Sequence, residues 1–244
     1  MAKKAKREDF DPILFQGIAH RGLHDENKTE NGLNAFKAAL ENGYAIELDI
    51  HLTKDNELLV CHDDNLKRTT GKEGIIEDLT LEEIRNGYRL LDGEVVPTFQ
   101  EVLDLVQEKT PIVVELKVHQ KNFRPLAKKA MEVLRSVQNK KRITLISFDP
   151  RALYCCRKSP FTRGLLVCKN SEWVFRLRRC FEYLDVEECL LITPKYQKER
   201  KKGRLMNVWT IHNENQLKEI RGQFDMITFQ ELGRERIHEY LKEE

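Results

Sequence analysis

The chain has 244 residues, 40% of them hydrophobic, which suits one sizeable core and the usual length of a single α/β barrel. Lys plus Arg (42) nearly balance Asp plus Glu (40), so a net charge of +2 provides no bulk attraction for nucleic acid. No stretch approaches the roughly 18 apolar residues that span a bilayer, so stable membrane insertion is not expected.

The first 16 residues read as a basic tail. Met1-Ala2-Lys3-Lys4-Ala5-Lys6-Arg7 is followed by Asp9, Asp11 and Pro12 with no apolar segment between, which is not the pattern of a secretory signal. From residue 17 to 244 short apolar or β-branched runs alternate with helical stretches, the signature of βα units and a parallel sheet. The strands expected are 17–20, 45–52 with an extension at 58–61, 112–117, 143–148, 164–168, 189–193, 207–211 and 226–229. With that extension counted as part of the second, there are eight.

Helices are expected at 31–42, ending at the stop residue Gly43, and at 98–108 and 122–137. Others follow at 171–184, with Trp173, Val174, Leu177, Phe181 and Leu184 facing inward, and at 213–221 and 230–242. The segment 64–96, with a Thr80-Leu81-Glu82-Glu83 start resembling a capping box, reads as a small insertion between the second strand and its helix. The fold class is therefore α/β, a (βα)8 barrel of the TIM type with one insertion near its C-terminal face.

Six cysteines (Cys61, Cys155, Cys156, Cys168, Cys180, Cys189) form no CxxC and read as thiols in a reducing compartment, so a soluble, cytoplasmic protein is expected. From Arg151 to Arg204 there are 14 Lys or Arg against 6 Asp or Glu. This reads as solvated helical faces, with a surface for anionic lipid or polyphosphate as the alternative.

The chemistry lies at the ends of the apolar runs. Glu47 and Asp49 are two apart on a strand, so both carboxylates point to one face, where they repel unless a cation lies between them. Oxygen donors favour a hard ion, Mg²⁺ or Ca²⁺, and Glu115 at the end of the next strand is the natural third ligand. The structural alternative is that Glu47 and Asp49 pair with Arg21 and Lys117 in an ion network. His20 and His62 end different strands and can exchange protons near neutrality. Arg21 and Lys117 are fixed positive charges suited to phosphate oxygens. Glu30 reads as a ligand or an orienting group, and His51 shares the face of Glu47 and Asp49.

In order, the motifs are His20-Arg21-Gly22, Glu30-Asn31, Glu47-Leu48-Asp49, Thr53-Lys54-Asp55, His62-Asp63 and Glu115-Leu116-Lys117. Together they resemble the glycerophosphodiester phosphodiesterase family, within the phosphatidylinositol-phosphodiesterase-like TIM barrel superfamily, over residues 18–229. The resemblance implies metal-dependent hydrolysis of a small-molecule glycerophosphodiester to glycerol 3-phosphate and an alcohol, a reaction of lipid metabolism. It implies catalytic His20 and His62, and Glu47, Asp49 and Glu115 as ligands of Mg²⁺ or Ca²⁺. Arg21, Lys117 and Trp209 would bind substrate, Trp209 by packing on the glycerol or on an apolar part. The chain departs from the family pattern at Thr29-Glu30-Asn31-Gly32 and at Thr228-Phe229-Gln230-Glu231. The other readings are a lysophospholipase D acting on single-chain lipids and a non-catalytic barrel that binds phosphate headgroups. The polar residues Asp64, Asn65, Lys67, Arg68 and Thr69 lead us to expect a lip suited to small, water-soluble alcohols.

Overall fold

The structure is a computed structural model that describes residues 2–232 and residue 237. The expected helix at 230–242 falls, beyond residue 232, outside the described residues, Ile237 apart. Nine strands run in the order β1 (Ile18–Ala19), β2 (Ala45–Leu52), β3 (Leu58–Val60), β4 (Ile112–Leu116), β5 (Ile143–Ser147), β6 (Thr162–Val167), β7 (Tyr183–Glu187), β8 (Met206–Ile211) and β9 (Met226–Phe229). All but β3 pair in parallel, and β1 joins both β9 and β2, so eight strands close into a barrel. β3 folds back antiparallel on the upper part of β2, with Ile50 opposite Val60. The stretch expected to extend the second strand is thus a separate strand, turned back at residues 53–57.

One expected strand is displaced. The sixth barrel strand is Tyr183–Glu187, and the run 189–193 expected to form it begins inside the helix Glu188–Leu191. The preceding segment, Lys169–Cys180, is a 3₁₀ helix with a kink at Ser171. Three residues per turn move its side chains off the 3.6-residue face. Val174 and Phe175 are buried, whereas Trp173 is 63% exposed and Leu177 38%. Phe181 and Leu184 are buried, Leu184 as part of β7.

Helices surround the barrel, and the main apolar cluster lies between them and the outward side chains of the strands. The helices at Leu81–Gly87 and Phe99–Val106 both open with a capping box, Thr80 with Glu83 and Thr98 with Glu101. Inside the barrel, Ile18, Ala45, Val113, Ile146, Leu166, Tyr183 and Met226 form the lower core. Gly164 is required there: a Cβ on it would lie 2.2 Å from Cζ of Tyr183. The segment expected as a tail is folded under this core. Ala5, Phe10 and Leu14 are buried in the same cluster, Phe10 stands edge-on to Tyr183 at 5.3 Å, and the Ala5 N–H donates to the Glu182 carbonyl at 3.0 Å. With the floor closed by residues 5–14, access to the interior is from the C-terminal end of the strands.

Candidate active site

Strand register brings the acids together. Asp49 on β2 lies directly opposite Glu115 on β4, and Glu47 is one inward-facing position below Asp49. All three are buried, and oxygens of the three lie within 4.8 Å of one another. Burial, then repulsion from Asp49 and Glu115, pushes the Glu47 carboxyl well above its ordinary value. Burial also raises Glu115, in spite of Lys117 beside it. Burial opposes the charge of Asp49, but Lys117, His62, Arg21 and the Asn31 amide outweigh it and hold that carboxyl low. Lys117 Nζ is 3.0 Å from Glu115 and 3.5 Å from Asp49, and these carboxylates keep it charged against the cost of burial.

The turn after β1 delivers the next groups. Arg21 and Gly22 have φ of 54° and 82°, and a Cβ on Gly22 would lie 2.8 Å from the Ala35 carbonyl carbon, so only glycine fits the turn as built. The turn aims the Arg21 N–H at Glu47 Oε2, 3.0 Å away. The Arg21 guanidinium reaches Glu30 at 2.9 Å, and its Nε lies 3.6 Å from Asp49. His20 donates from Nδ1 to Gln230 Oε1 at 2.8 Å, leaving Nε2 4.0 Å from Glu47. Burial, reinforced by Arg21, lowers His20 to about 4, so this contact is not an ion pair. His62 gives Nδ1–H to Asp63 at 2.6 Å, and burial lowers it too.

A cavity of about 100 Å³ joins these groups: His20, Arg21, Glu47, His62, Glu115 and Trp209 all line it. Trp209 stands edge-on to Phe148 at 5.6 Å, and its Nε1–H has no partner among the described residues. Of the residues expected to act in catalysis, metal or substrate binding, all but Asp49 and Lys117 line this cavity; Lys117 contacts both Asp49 and Glu115 beside it, and Glu30 and His51 lie outside it.

Several partners had no assigned role in the sequence. Asn31 is buried, donates to Asp49 at 3.0 Å and has φ of 58°; it belongs to the Glu30-Asn31 motif, which was the signal for it. Glu30, left open as ligand or orienter, is held by Arg21 and by both terminal nitrogens of Arg68 at 2.7 and 2.8 Å. Those charges overcome burial and bring its carboxyl to about 2. Arg68 also donates Nε to Asp63 at 2.6 Å, so one side chain of the insertion bridges the Glu30 and His62 motifs. His51 faces Glu77 at 2.7 Å and the His62 carbonyl at 3.2 Å. Asp185, buried under Asn207, is raised by burial to about 7.

Ionisable groups gathered at the C-terminal ends of eight closed parallel strands define the active-site end of a (βα)8 barrel enzyme. The model of the glycerophosphoryl diester phosphodiesterase family matches residues 20–231, and the chain belongs to that family of phosphoric diester hydrolases. It is 33% identical to a glycerophosphodiester phosphodiesterase of Caldanaerobacter subterraneus subsp. tengcongensis, over 83% of this chain and 88% of that one. Human lysophospholipase D GDPD1 is 34% identical over 54% of this chain and 45% of its own length. Among solved structures, a glycerophosphodiester phosphodiesterase from Parabacteroides distasonis superposes with a TM-score of 0.77 at 28% identity, covering 93% of this chain and 96% of that one. A phosphodiesterase from Oleispira antarctica, in complex with the product sn-glycerol-3-phosphate, gives 0.83 at 24% identity over 94% and 98%. Its likeness bears on the fold.

Proposed function

We propose that this chain hydrolyses glycerophosphodiesters to glycerol 3-phosphate and an alcohol, with a divalent cation, Mg²⁺ or Ca²⁺, held by Glu47, Asp49 and Glu115. The observation that carries this reading is the convergence of Glu47, Glu115, two imidazoles and Arg21 on one small cavity, with Asp49 within 4.8 Å of the other two carboxylates. The donor set fits a hard cation: it is all oxygen and buried, and its three carboxylates face only two fixed positive charges, Arg21 and Lys117. A bound cation supplies charge stabilisation to the phosphate oxygens. Arg21 and Lys117 add fixed positive charge for the extra negative charge of the transition state. His20 and His62 each have Nδ1 engaged, by Gln230 and Asp63, which leaves Nε2 for proton transfer. One takes the proton of the attacking oxygen and the other protonates the leaving alkoxide. Trp209 packs against the glycerol unit. Glycerol phosphate as the retained half draws support from the product named for the Oleispira antarctica structure.

A lysophospholipase D activity is a second reading, favoured by an apolar wall beside the site in which Phe148, Pro150 and Trp173 take part. Six free cysteines support a reducing, cytoplasmic setting. Among the described residues no helix is long and apolar enough to cross a membrane. The test is purified protein against a panel of glycerophosphodiesters and lysolipids, with and without chelator, products identified by mass. Glycerol 3-phosphate formed only with metal supports the reading. Retained phosphate binding with no turnover would leave the non-catalytic barrel.

A further inference from the structure

The small cavity opens into a larger groove. The two share His62, Glu115 and Phe148, but they run in opposite directions: the cavity toward His20, Trp209 and Thr228, the groove toward Val118, Pro150 and Trp173. The groove measures about 740 Å³, well within the range of pockets that hold a whole ligand. The cavity has the room of about three waters, which suits a glycerol unit. Pro150 and Arg151 then belong to a second groove of about 760 Å³, floored by Phe123, Tyr154, Leu177 and Phe181. The result is one track leading from the reacting groups across the outside of the helix Pro150–Cys155.

The first groove sets Val118, Phe148, Pro150 and Trp173 beside ionisable groups that include Asp64, Lys117, His119 and Asp149, and the second is aromatic and aliphatic carbon interleaved with Arg124, Arg151 and Arg157. Among the described residues five large hydrophobic side chains are exposed, and Trp173, Tyr154 and Leu177 on this track are three of them. The Arg151 side chain gives three bonds to Asp149, at 2.6, 3.0 and 3.2 Å, and lies 4.6 Å over the Phe123 ring. Arg157 lies 4.4 Å over Tyr154. Among the described residues no carboxylate lines the second groove. An alkyl chain laid along this groove meets flat aromatic and guanidinium faces and the aliphatic stems of the arginines.

We infer that this track is the subsite of the leaving alcohol, and that the alcohol it takes carries a single unbranched alkyl chain. The inference rests on the reading that glycerol phosphate occupies the small cavity. It differs from the lysophospholipase D reading in which half bears the chain, because there the chain stays with the phosphate.

The experiment compares glycerophosphate esters of ethanol, butanol, hexanol, octanol and decanol, all below their micellar concentrations, and a second series with the chain on the glycerol and ethanol as leaving group. Release of no alcohol from any ester would remove the underlying hydrolase reading. Given turnover of the ethyl ester, kcat/KM in the first series should rise with chain length, by up to about fourfold per buried methylene, mostly through KM. In Trp173→Ala and Leu177→Ser the octyl-to-ethyl ratio should fall at least about threefold; both residues are exposed enough for the fold to tolerate the change. A flat first series, a steeper second series, or a wild-type ratio kept in both variants would each overturn the assignment.

Discussion

The two walls of the active-site mouth are built by different physics. On the insertion side, residues 64–96 are tied to the barrel by directional, charge-assisted bonds: Arg68 to Glu30 and Asp63, Glu77 to His51, and Asp92 to the Thr29 N–H at 2.7 Å. Beneath them the insertion has a small core of its own that includes Leu66, Ile76, Ile84 and Val96. On the opposite wall, the 3₁₀ segment Lys169–Cys180 leaves Trp173 and Leu177 toward solvent, over grooves of aromatic and aliphatic carbon. Fixed hydrogen bonds hold an imidazole such as His62 to a position, whereas apolar surface selects by area and tolerates variation in shape. On the proposed reading, catalysis belongs to the polar wall and the barrel centre, and substrate choice to the apolar wall.

The largest effects belong to the centre. Glu47→Gln, Asp49→Asn and Glu115→Gln should each lower turnover by at least about 10³-fold, and a chelator should do the same reversibly with Mg²⁺ or Ca²⁺. Initial rates on one soluble diester check this, and full activity in excess chelator would remove the metal assignment. His20→Ala and His62→Ala follow, each costing on the order of 10²–10⁴ in kcat with metal binding retained. A calorimetric titration of metal into each variant separates the two roles. If the division between walls holds, none of these five changes alters the ranking of residual rates along an alkyl series.

The next effect is confined to the polar wall. Arg68→Ala should reduce kcat about 10–100-fold, the scale seen when a group that orients a primary ligand is lost, with little change in KM. Arg68→Lys should recover only part, because a lysine cannot reproduce the fork on Glu30. The same clamp has an acid signature. Arg68 and its neighbours bring Glu30 and Asp63 to about 2, below their unfolded values of 4.5 and 3.8. Carboxyls lowered in the folded state contribute stability that is present above the unfolded value and lost as pH falls toward the folded one. The melting temperature of the wild type should therefore drop between about pH 4.5 and 2 more steeply than that of Arg68→Ala. Parallel curves would show that the bridge adds no net stability.

How far the sequence disclosed these walls follows from the range of the interactions. The Glu47-Leu48-Asp49 pair is legible because alternation along a strand is local, and Arg21-Gly22 because a left-handed turn demands glycine. The double role of Arg68 joins residues 38 positions apart, and no local pattern carries it. The displaced β7 has a physical cause too. Asp185 interrupts its apolar run, and its partner Asn207 is supplied by β8, so the strand reads as too polar by itself. The run Cys189–Ile192 looks like a strand but packs as one helical turn, and the aromatic spacing of 173–184 imitates an α-helix across what is 3₁₀ and then strand. These errors fall on the apolar wall. A polar lip was expected from Asp64–Thr69, and the facing wall, built from the misassigned segment, was not anticipated.

The smallest effect tests the apolar wall without changing it. Cys155 and Cys180 line the second groove and are exposed, Cys189 is exposed elsewhere, and Cys61 and Cys156 are buried. Burial pushes the thiols of Cys61 and Cys156 up to about 12, so neither should react at neutral pH on the time scale of the exposed three. In the His62→Ala protein, expected to turn substrate over slowly, a saturating octyl ester should slow alkylation of Cys155 and Cys180 by a few-fold, while Cys189 keeps its rate as an internal control. The ethyl ester should protect neither, because its chain ends before Pro150. Mass spectrometry of peptides after brief labelling reads all five sites in one experiment. Equal protection of Cys189 would point to a general tightening of the chain, and protection by the ethyl ester would mean that the reacting centre and the distal groove communicate through the fold instead of through a bound chain.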